Sequence, residues 1–264
     1  MSVPAGGISR GRQGRTGPRG GGDRGRADMH LHSLWSDGTA SVADILRHVE
    51  EHTDLDVIAI TDHERIDGAL RAAELHAGGD YGFDLVIGEE ITTRRGHVLA
   101  LFITERIPAL RPLDETLRAI HAQGGLAIAA HPLAPVPLSV GARSLRGVRD
   151  RGEPGVAFDA LELFNPSHAG KTRHETRLAL NADELNLPGV GNSDAHVLAG
   201  IGTGWTEFDG FTAEDYRRAV EAGTVTAHGA FWSQVHNVDV YRRQLWAKAR
   251  HLWHALAPGD RDWR

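Results

Sequence analysis

The stretch Asp28-Met29-His30-Leu31-His32 alternates with the period of a β-strand, so His30 and His32 lie on the same side of it. The chain then repeats short apolar runs at Val57–Thr61, Leu85–Glu90, Val98–Ile103, Leu126–Ala130, Ala160–Phe164 and Val190–Asn192. Segments of helical periodicity lie between most of them. Ala40–Glu51 puts Val42, Ile45, Leu46 and Val49 on one face, and Leu113–Ala122 does the same with Leu113, Leu117 and Ile120. Lys171–Leu185 and Thr212–Ala222 also read as helices, the second with Thr212 as N-cap and Gly223 as its stop. Strands alternating with helices imply βαβ units and a mainly parallel sheet, and seven runs fit a seven-stranded barrel. An open doubly wound sheet would carry a glycine-rich nucleotide loop after its first strand, where this chain has His30-Leu31-His32. Gly200-Ile201-Gly202-Thr203-Gly204 lacks the Lys-Ser/Thr of a phosphate loop and reads as a turn.

Ionisable residues sit where these strands end. Thr61-Asp62-His63 closes the second strand, Glu89-Glu90 the third, His131-Pro132 the fifth and Ser193-Asp194-Ala195-His196 the seventh. In a parallel barrel the strand C-termini converge on one mouth. His97, at the edge of the fourth run, joins them if that strand turns its start toward the mouth. Carboxylates crowded at one mouth repel one another, and a divalent ion cancels that charge. The chain has 16 His and no Cys, which excludes disulfides, thiolate zinc sites and a cysteine nucleophile. Nitrogen and oxygen ligands suit zinc, manganese or iron. Six histidines with Asp37, Glu90 and Asp194 offer nine ligands, enough for two or three ions.

In their order, Asp28-Met29-His30-Leu31-His32-Ser33, Ser36-Asp37-Gly38, Thr61-Asp62-His63, Gly88-Glu89-Glu90, Gly96-His97, His131-Pro132 and Ser193-Asp194-Ala195-His196 resemble the PHP (polymerase and histidinol phosphatase) superfamily of metal-dependent phosphoesterases. The resemblance implies an α/β fold, a distorted seven-stranded (β/α)7 TIM-like barrel with a trinuclear site. It assigns His30, His32, Glu90 and Asp194 to one metal. A second shares Glu90 and adds His97 and His131, and a third takes Asp37, His63 and His196. The family pattern makes Glu90 the bridge, and strand alternation turns Glu89 to the other face. Asp28 is expected to orient a ligating histidine; Asp62 either does so for His63 or is a turn residue. The implied activity is hydrolysis of a small phosphate mono- or diester by a metal-activated water. Arg65 and Arg94 are candidates for gripping phosphate, and His168 and Lys171 are weaker candidates for substrate contact or leaving-group protonation.

Among the superfamily's branches, the compact spacing and Trp-rich tail look most like the general PHP and CehA-McbA-like metallohydrolases. That raises hydrolysis of a carboxylic or carbamic ester or amide as an alternative. A 5′–3′ exoribonuclease or nucleotide phosphatase is less favoured, and a non-catalytic metal-binding module ranks lowest because no expected ligand is missing.

Charge divides the 264 residues into three parts. Residues 1–27 hold six Arg, one acid and nine Gly and read as a disordered tail. Residues 28–237, the expected metallohydrolase barrel, carry −14 of a total of −6, and residues 238–264 carry +3. The last segment reads as a basic amphipathic helix with Val238, Tyr241, Leu245, Ala249, Leu252 and Leu256 on its apolar stripe, suited to docking on the barrel or to an oligomer interface. The acidic balance disfavours a nucleic-acid partner, and no apolar run is long enough to span a membrane. A cytoplasmic setting is the expectation.

Overall fold

The computed structural model describes residues 5–12, 17–135, 139–233 and 242. All seven expected strands form: β2 (Gly25–Leu31), β3 (Val57–Ile60), β4 (Asp84–Thr93), β5 (Gly96–Leu101), β6 (Leu126–Ala129), β7 (Ala160–Phe164) and β8 (Gly189–Gly191). Three more join them: β1 (Ile8–Ser9), β9 (Gly204–Phe208) and β10 (Thr226–Gly229). The sheet runs β10-β9-β2-β3-β4-β5-β6-β7-β8, with β1 on β4. Helices α1 (Val42–His52), α2 (Asp67–Ala77), α3 (Leu113–Ala122) and α4 (Ala142–Arg151) follow β2, β3, β5 and β6. The region expected as one helix over 171–185 is broken into α5 (His168–Thr172), α6 (His174–Leu180) and a π-helical turn at Asn181–Leu185. The last helix, α7 (Ala213–Ala222), has Thr212 as N-cap in a capping box with Asp215 and Gly223 in the left-handed C-cap, as the sequence implied.

The sheet is less parallel than expected: four of the eight neighbouring pairs on the main path are parallel, β9 runs antiparallel to β2 and β10, and β5 runs antiparallel to both β4 and β6. For β5 the cause is local. Only Arg94 and Arg95 separate β4 from β5, a hairpin connection too short for a parallel crossover. Gly96 takes a φ of 130°, and a β-carbon there would lie 2.4 Å from the Val140 amide nitrogen. The reversal brings the start of β5, and His97 with it, to the end where its neighbours finish.

The sheet's ends come together along a seam that reaches the mouth. The hydroxyl of Thr206 in β9 accepts from the Gly191 amide (3.0 Å) and donates to the Gly191 carbonyl (2.9 Å). Beyond β8, Ala195 bridges to Leu31, with His32 N donating to Ala195 O at 3.0 Å and Ala195 N to His30 O at 3.2 Å. This seam places Asp194 beside the two histidines of β2.

Two apolar layers follow. Outward-facing Leu31, Ile58, Ile60, Leu85 and Ile87 pack under α1, α2 and α3. Inward-facing Met29, Val57, Ala59, Val86, Leu99 and Ile128 form the barrel interior, closed by Ala213, Tyr216, Ala219 and Val220 of α7. The Ala213 amide donates to Asp84 at the start of β4 (3.0 Å), so α7 closes the end opposite the mouth. In β2 the register with β3 shifts between Asp28 and Leu31, and Met29 and His30 both reach the interior.

The described part of residues 1–27 departs from the expected disordered tail. β1 pairs with Leu85 and Val86, on the side of β4 that β5 leaves open. The Arg19 guanidinium donates to the carbonyls of Glu50 (2.7 Å), Val49 (3.3 Å) and Thr53 (3.4 Å), capping the last turn of α1. Asp56 accepts from the amides of Arg19 (2.7 Å) and Arg26 (3.0 Å). Side-chain bonds to the main chain order a segment that has little apolar surface of its own. The amphipathic segment expected over 238–264 lies outside the described residues, apart from Arg242.

Candidate metal centre

Glu90 stands at the middle of the mouth, 1% exposed. Its Oε2 lies 3.1 Å from His63 Nδ1, 3.2 Å from His30 Nε2 and 3.3 Å from His32 Nε2. Its Oε1 lies 2.8 Å from His97 Nδ1 and 3.1 Å from His131 Nε2. Asp194 Oδ1 faces His32 Nε2 at 3.2 Å and His30 Nε2 at 3.4 Å. Asp37 Oδ1 faces His196 Nε2 at 3.1 Å, His63 Nε2 at 3.7 Å and His32 Nδ1 at 3.8 Å. All nine residues singled out from the sequence therefore meet in one cluster. It divides into overlapping groups whose ligand atoms lie within 4.8 Å of one another: His30, His32 and Glu90; His30, His131 and Asp194; His63, Glu90 and His97; and His32, Asp37, His63 and His196.

The cluster has the marks of a metal site rather than a hydrogen-bonded polar core. His30 Nε2, both nitrogens of His32 and of His97, His131 Nδ1 and Glu90 Oε2 are buried without a hydrogen bond. Buried polar atoms are almost always satisfied, so such a concentration calls for another partner. Two ligand atoms about 2.1 Å from a shared zinc ion at a tetrahedral angle lie roughly 3.4 Å apart, the spacing seen around Glu90 and Asp194. The electrostatics agree. Burial pushes Glu90 up, but the imidazoles of His63, His97 and His30 hold its carboxyl well below the carboxylate range. Burial brings His63 down to about 4. Burial also works against a charged His196, yet Asp37 and Asp194 raise it to about 9. Adjacent imidazoles are thus driven in opposite directions, a conflict that a divalent cation removes.

Hydrogen bonds from outside the ring set fix which nitrogen two of the rings present. His196 Nδ1 donates to the Asp194 carbonyl (2.9 Å), which turns Nε2 to Asp37. His30 Nδ1 meets Glu162 Oε1 at 3.0 Å, which turns Nε2 to Glu90 and Asp194. Glu162 is wholly buried, and its role in supporting the ligands was not read from the sequence. It also accepts from the His131 amide (2.7 Å), Asn192 Nδ2 (3.0 Å) and Asn165 Nδ2 (3.1 Å). Asn165 Nδ2 reaches Asp194 Oδ2 at 3.3 Å as well. The signal for Glu162 was a lone acid inside a buried apolar strand, a position where carboxylates are rare without partners.

Asp28 does not orient a histidine, contrary to expectation. It accepts from the amides of Ser193 and Gly202, each at 2.9 Å, and so anchors the loop that carries Asp194; burial raises it to about 6. Asp62 is the turn residue of the two expected readings, its carbonyl accepting from the Arg65 amide at 3.5 Å, but its carboxylate does more. It accepts from Ser33 N (2.7 Å), Ser33 Oγ (2.6 Å) and Ser36 Oγ (2.6 Å), pinning the turn that presents Asp37. Glu89 faces away from the cluster, as alternation required, and accepts from the Ile107 amide at 2.9 Å.

The proposed substrate residues make contacts of their own. Arg65 pairs with Asp67 at 3.1 Å and lies over the Trp35 ring. Arg94 donates to the Leu110 carbonyl at 2.9 Å. Lys171 sits 5.5 Å from the Phe231 ring centre, and His168 opens α5. Among the described residues, no hydrogen bond or ion pair joins Arg65, Arg94 or Lys171 to the nine.

Comparison with known proteins gives a consistent assignment. A family model described as PHP-associated matches residues 174–225. An uncharacterised protein of Methanocaldococcus jannaschii is 33% identical over 174 residues, 62% of this chain and 94% of its own length. In structure, the chain is similar to a two-domain protein from Bacteroides vulgatus described as containing a predicted PHP-like metal-dependent phosphoesterase, with a TM-score of 0.60, 19% identity, and coverage of 90% of this chain and 74% of the other. The chain belongs to the PHP superfamily. A phosphoribosyl 1,2-cyclic phosphate 1,2-diphosphodiesterase of Eggerthella lenta is 32% identical over 102 residues, 36% of this chain and 38% of that protein. The PHP fold expected from the motifs is present, with three strands beyond the seven read from the sequence. No helix of the described residues is long and apolar enough to cross a membrane.

Proposed function

We propose that this PHP protein is a metal-dependent phosphoesterase that hydrolyses a small phosphate mono- or diester, with two to three divalent ions, manganese, zinc or iron, in the mouth of the barrel. The observation that carries the reading is the convergence of six histidines and three carboxylates, Glu90 at their middle, in one cluster with seven buried donor and acceptor atoms left unbonded. His30, His32, Glu90 and Asp194 would hold one ion, Glu90 with His97 and His131 a second, and Asp37, His63 and His196 a third. Ions bound there supply Lewis acidity and a water activated near neutral pH. His32 and His63 each turn one ring nitrogen to Glu90 and the other to Asp37, so the groups are rigidly spaced. Glu162 holds His30 and the His131 main chain, which fixes the ligands before substrate arrives. Arg65, two residues beyond His63, is the cation we assign to the substrate's phosphate.

A panel of p-nitrophenyl phosphate, bis-p-nitrophenyl phosphate and p-nitrophenyl acetate, with Mn²⁺ or Zn²⁺ added to metal-stripped protein, tests the reading. Metal-dependent turnover of a phosphate ester is expected. Turnover confined to the acetate would replace the phosphoesterase reading with a carboxylic ester hydrolase.

A further inference from the structure

Arg177, on α6, is 1% exposed, and none of the chemistry above uses it. A buried guanidinium ordinarily meets a carboxylate. Here, among the described residues, it has no ion pair and spends its donors on three main-chain carbonyls. Nη1 donates to Pro132 O (3.2 Å), Nη2 to Gly170 O (3.0 Å) and Nε to Leu163 O (3.1 Å). The three acceptors belong to three separate pieces of the mouth: the turn after His131, the segment beyond Asn165, and the strand that carries Glu162.

The turn after His131 needs holding. His131 has φ of 30° and Leu133 φ of 64°, left-handed backbone at two non-glycine residues on either side of Pro132. Such positions cost about 1–3 kcal/mol each and persist only where the surroundings impose them. Two charged side chains do so at adjacent residues. Glu162 accepts from the His131 amide at 2.7 Å, and Arg177 donates to the Pro132 carbonyl.

We infer that Arg177 is a positioning residue for the ion held by His131: it clamps the strained 131–133 turn from behind, touching no ligand side chain. The inference rests on the metal-centre reading above. The test is titration of metal-stripped, full-length protein with Mn²⁺, following free Mn²⁺ by electron paramagnetic resonance, without substrate. His131→Ala identifies the class of ion that depends on His131. Arg177→Met should weaken that same class by about 10–100-fold, the range for removing a residue that orients a ligand, and leave the other ions in place. Arg177→Lys, which keeps the charge but not the three-way fork, should fall between. Adding Arg177→Met to His131→Ala should change little further, because both act on one contact chain. Leu180→Ala, a core truncation on the same helix, should lower the melting temperature without selecting an ion class. Wild-type affinity in both Arg177 variants, or a uniform loss matching Leu180→Ala, would overturn the inference. A wild-type chain taking up less than one ion would overturn the metal-centre reading, and this inference with it.

Discussion

At one end of the barrel, α7 seals the interior with Tyr216 and small apolar side chains, and residues 5–12 lie along the neighbouring edge of β4. At the other, nine ionisable side chains converge and many of their buried atoms lack hydrogen bonds. The same strands supply both. β3 gives Val57 and Ala59 to the interior and then His63 to the mouth; β4 gives Val86 and then Glu90. The closed end has the low-energy packing of a folded core. The open end carries charge conflict and left-handed backbone at His131 and Asp194, kept in place by Glu162, Asp28, Asp62 and Arg177. Stability and chemistry are separated along one axis, and mutations at the two ends should separate in the same way.

The largest effect is expected at Glu90. Glu90→Gln should reduce hydrolysis to background and lower metal content while the metal-stripped protein still unfolds cooperatively, at a temperature no higher than wild type because the imidazoles lose their carboxylate partner; retained metal and activity would break the division. At the closed end, Tyr216→Ala should cost about 3–5 kcal/mol in denaturant unfolding, the usual range for a large buried aromatic ring, with unchanged metal stoichiometry in the folded fraction. Removal of residues 1–12 should follow, at about 1–3 kcal/mol, through loss of the β1 pairing and of the Gly11–Asp84 bond, with kcat on small substrates unchanged. A truncated chain as stable as the full one would show that the segment adds nothing to the closed end.

The smallest effect concerns pH. His76 is buried between the Ser9 hydroxyl (2.8 Å) and the Phe83 carbonyl (2.8 Å), and burial lowers it below the ordinary histidine value of 6.5. With the folded pKa depressed, the unfolded chain binds the extra proton first, so stability present above 6.5 is lost as pH falls through the folded pKa. Replacing His76 by Gln should flatten this part of the pH–stability curve, measured as melting temperature from pH 7.5 to 5.

The division between the ends also governs what could be read from the sequence. Chemistry at the mouth is carried by residue types rare at buried strand ends, so His30, His32, His63, Glu90, His131 and Asp194 stood out at once. His97 depended on strand direction, and the two-residue β4–β5 connection settled it. Glu162 and Arg177 were hidden because each is a single charged residue within an otherwise ordinary strand or helix, and their partners are 31 and 45 residues away along the chain. β9 was missed because Gly204 opens it from a glycine cluster that resembles a turn. The order of the N-terminal segment was missed because arginine and aspartate bonds to main-chain groups, not apolar burial, hold it.

The central claim is that the cluster around Glu90 is a multinuclear metal centre. Anomalous diffraction from crystals of Mn²⁺-loaded protein addresses it directly. The account predicts two or three peaks, each ligated by residues among His30, His32, Asp37, His63, Glu90, His97, His131, Asp194 and His196. Peaks lying elsewhere, or none within this cluster at saturating metal, would contradict it.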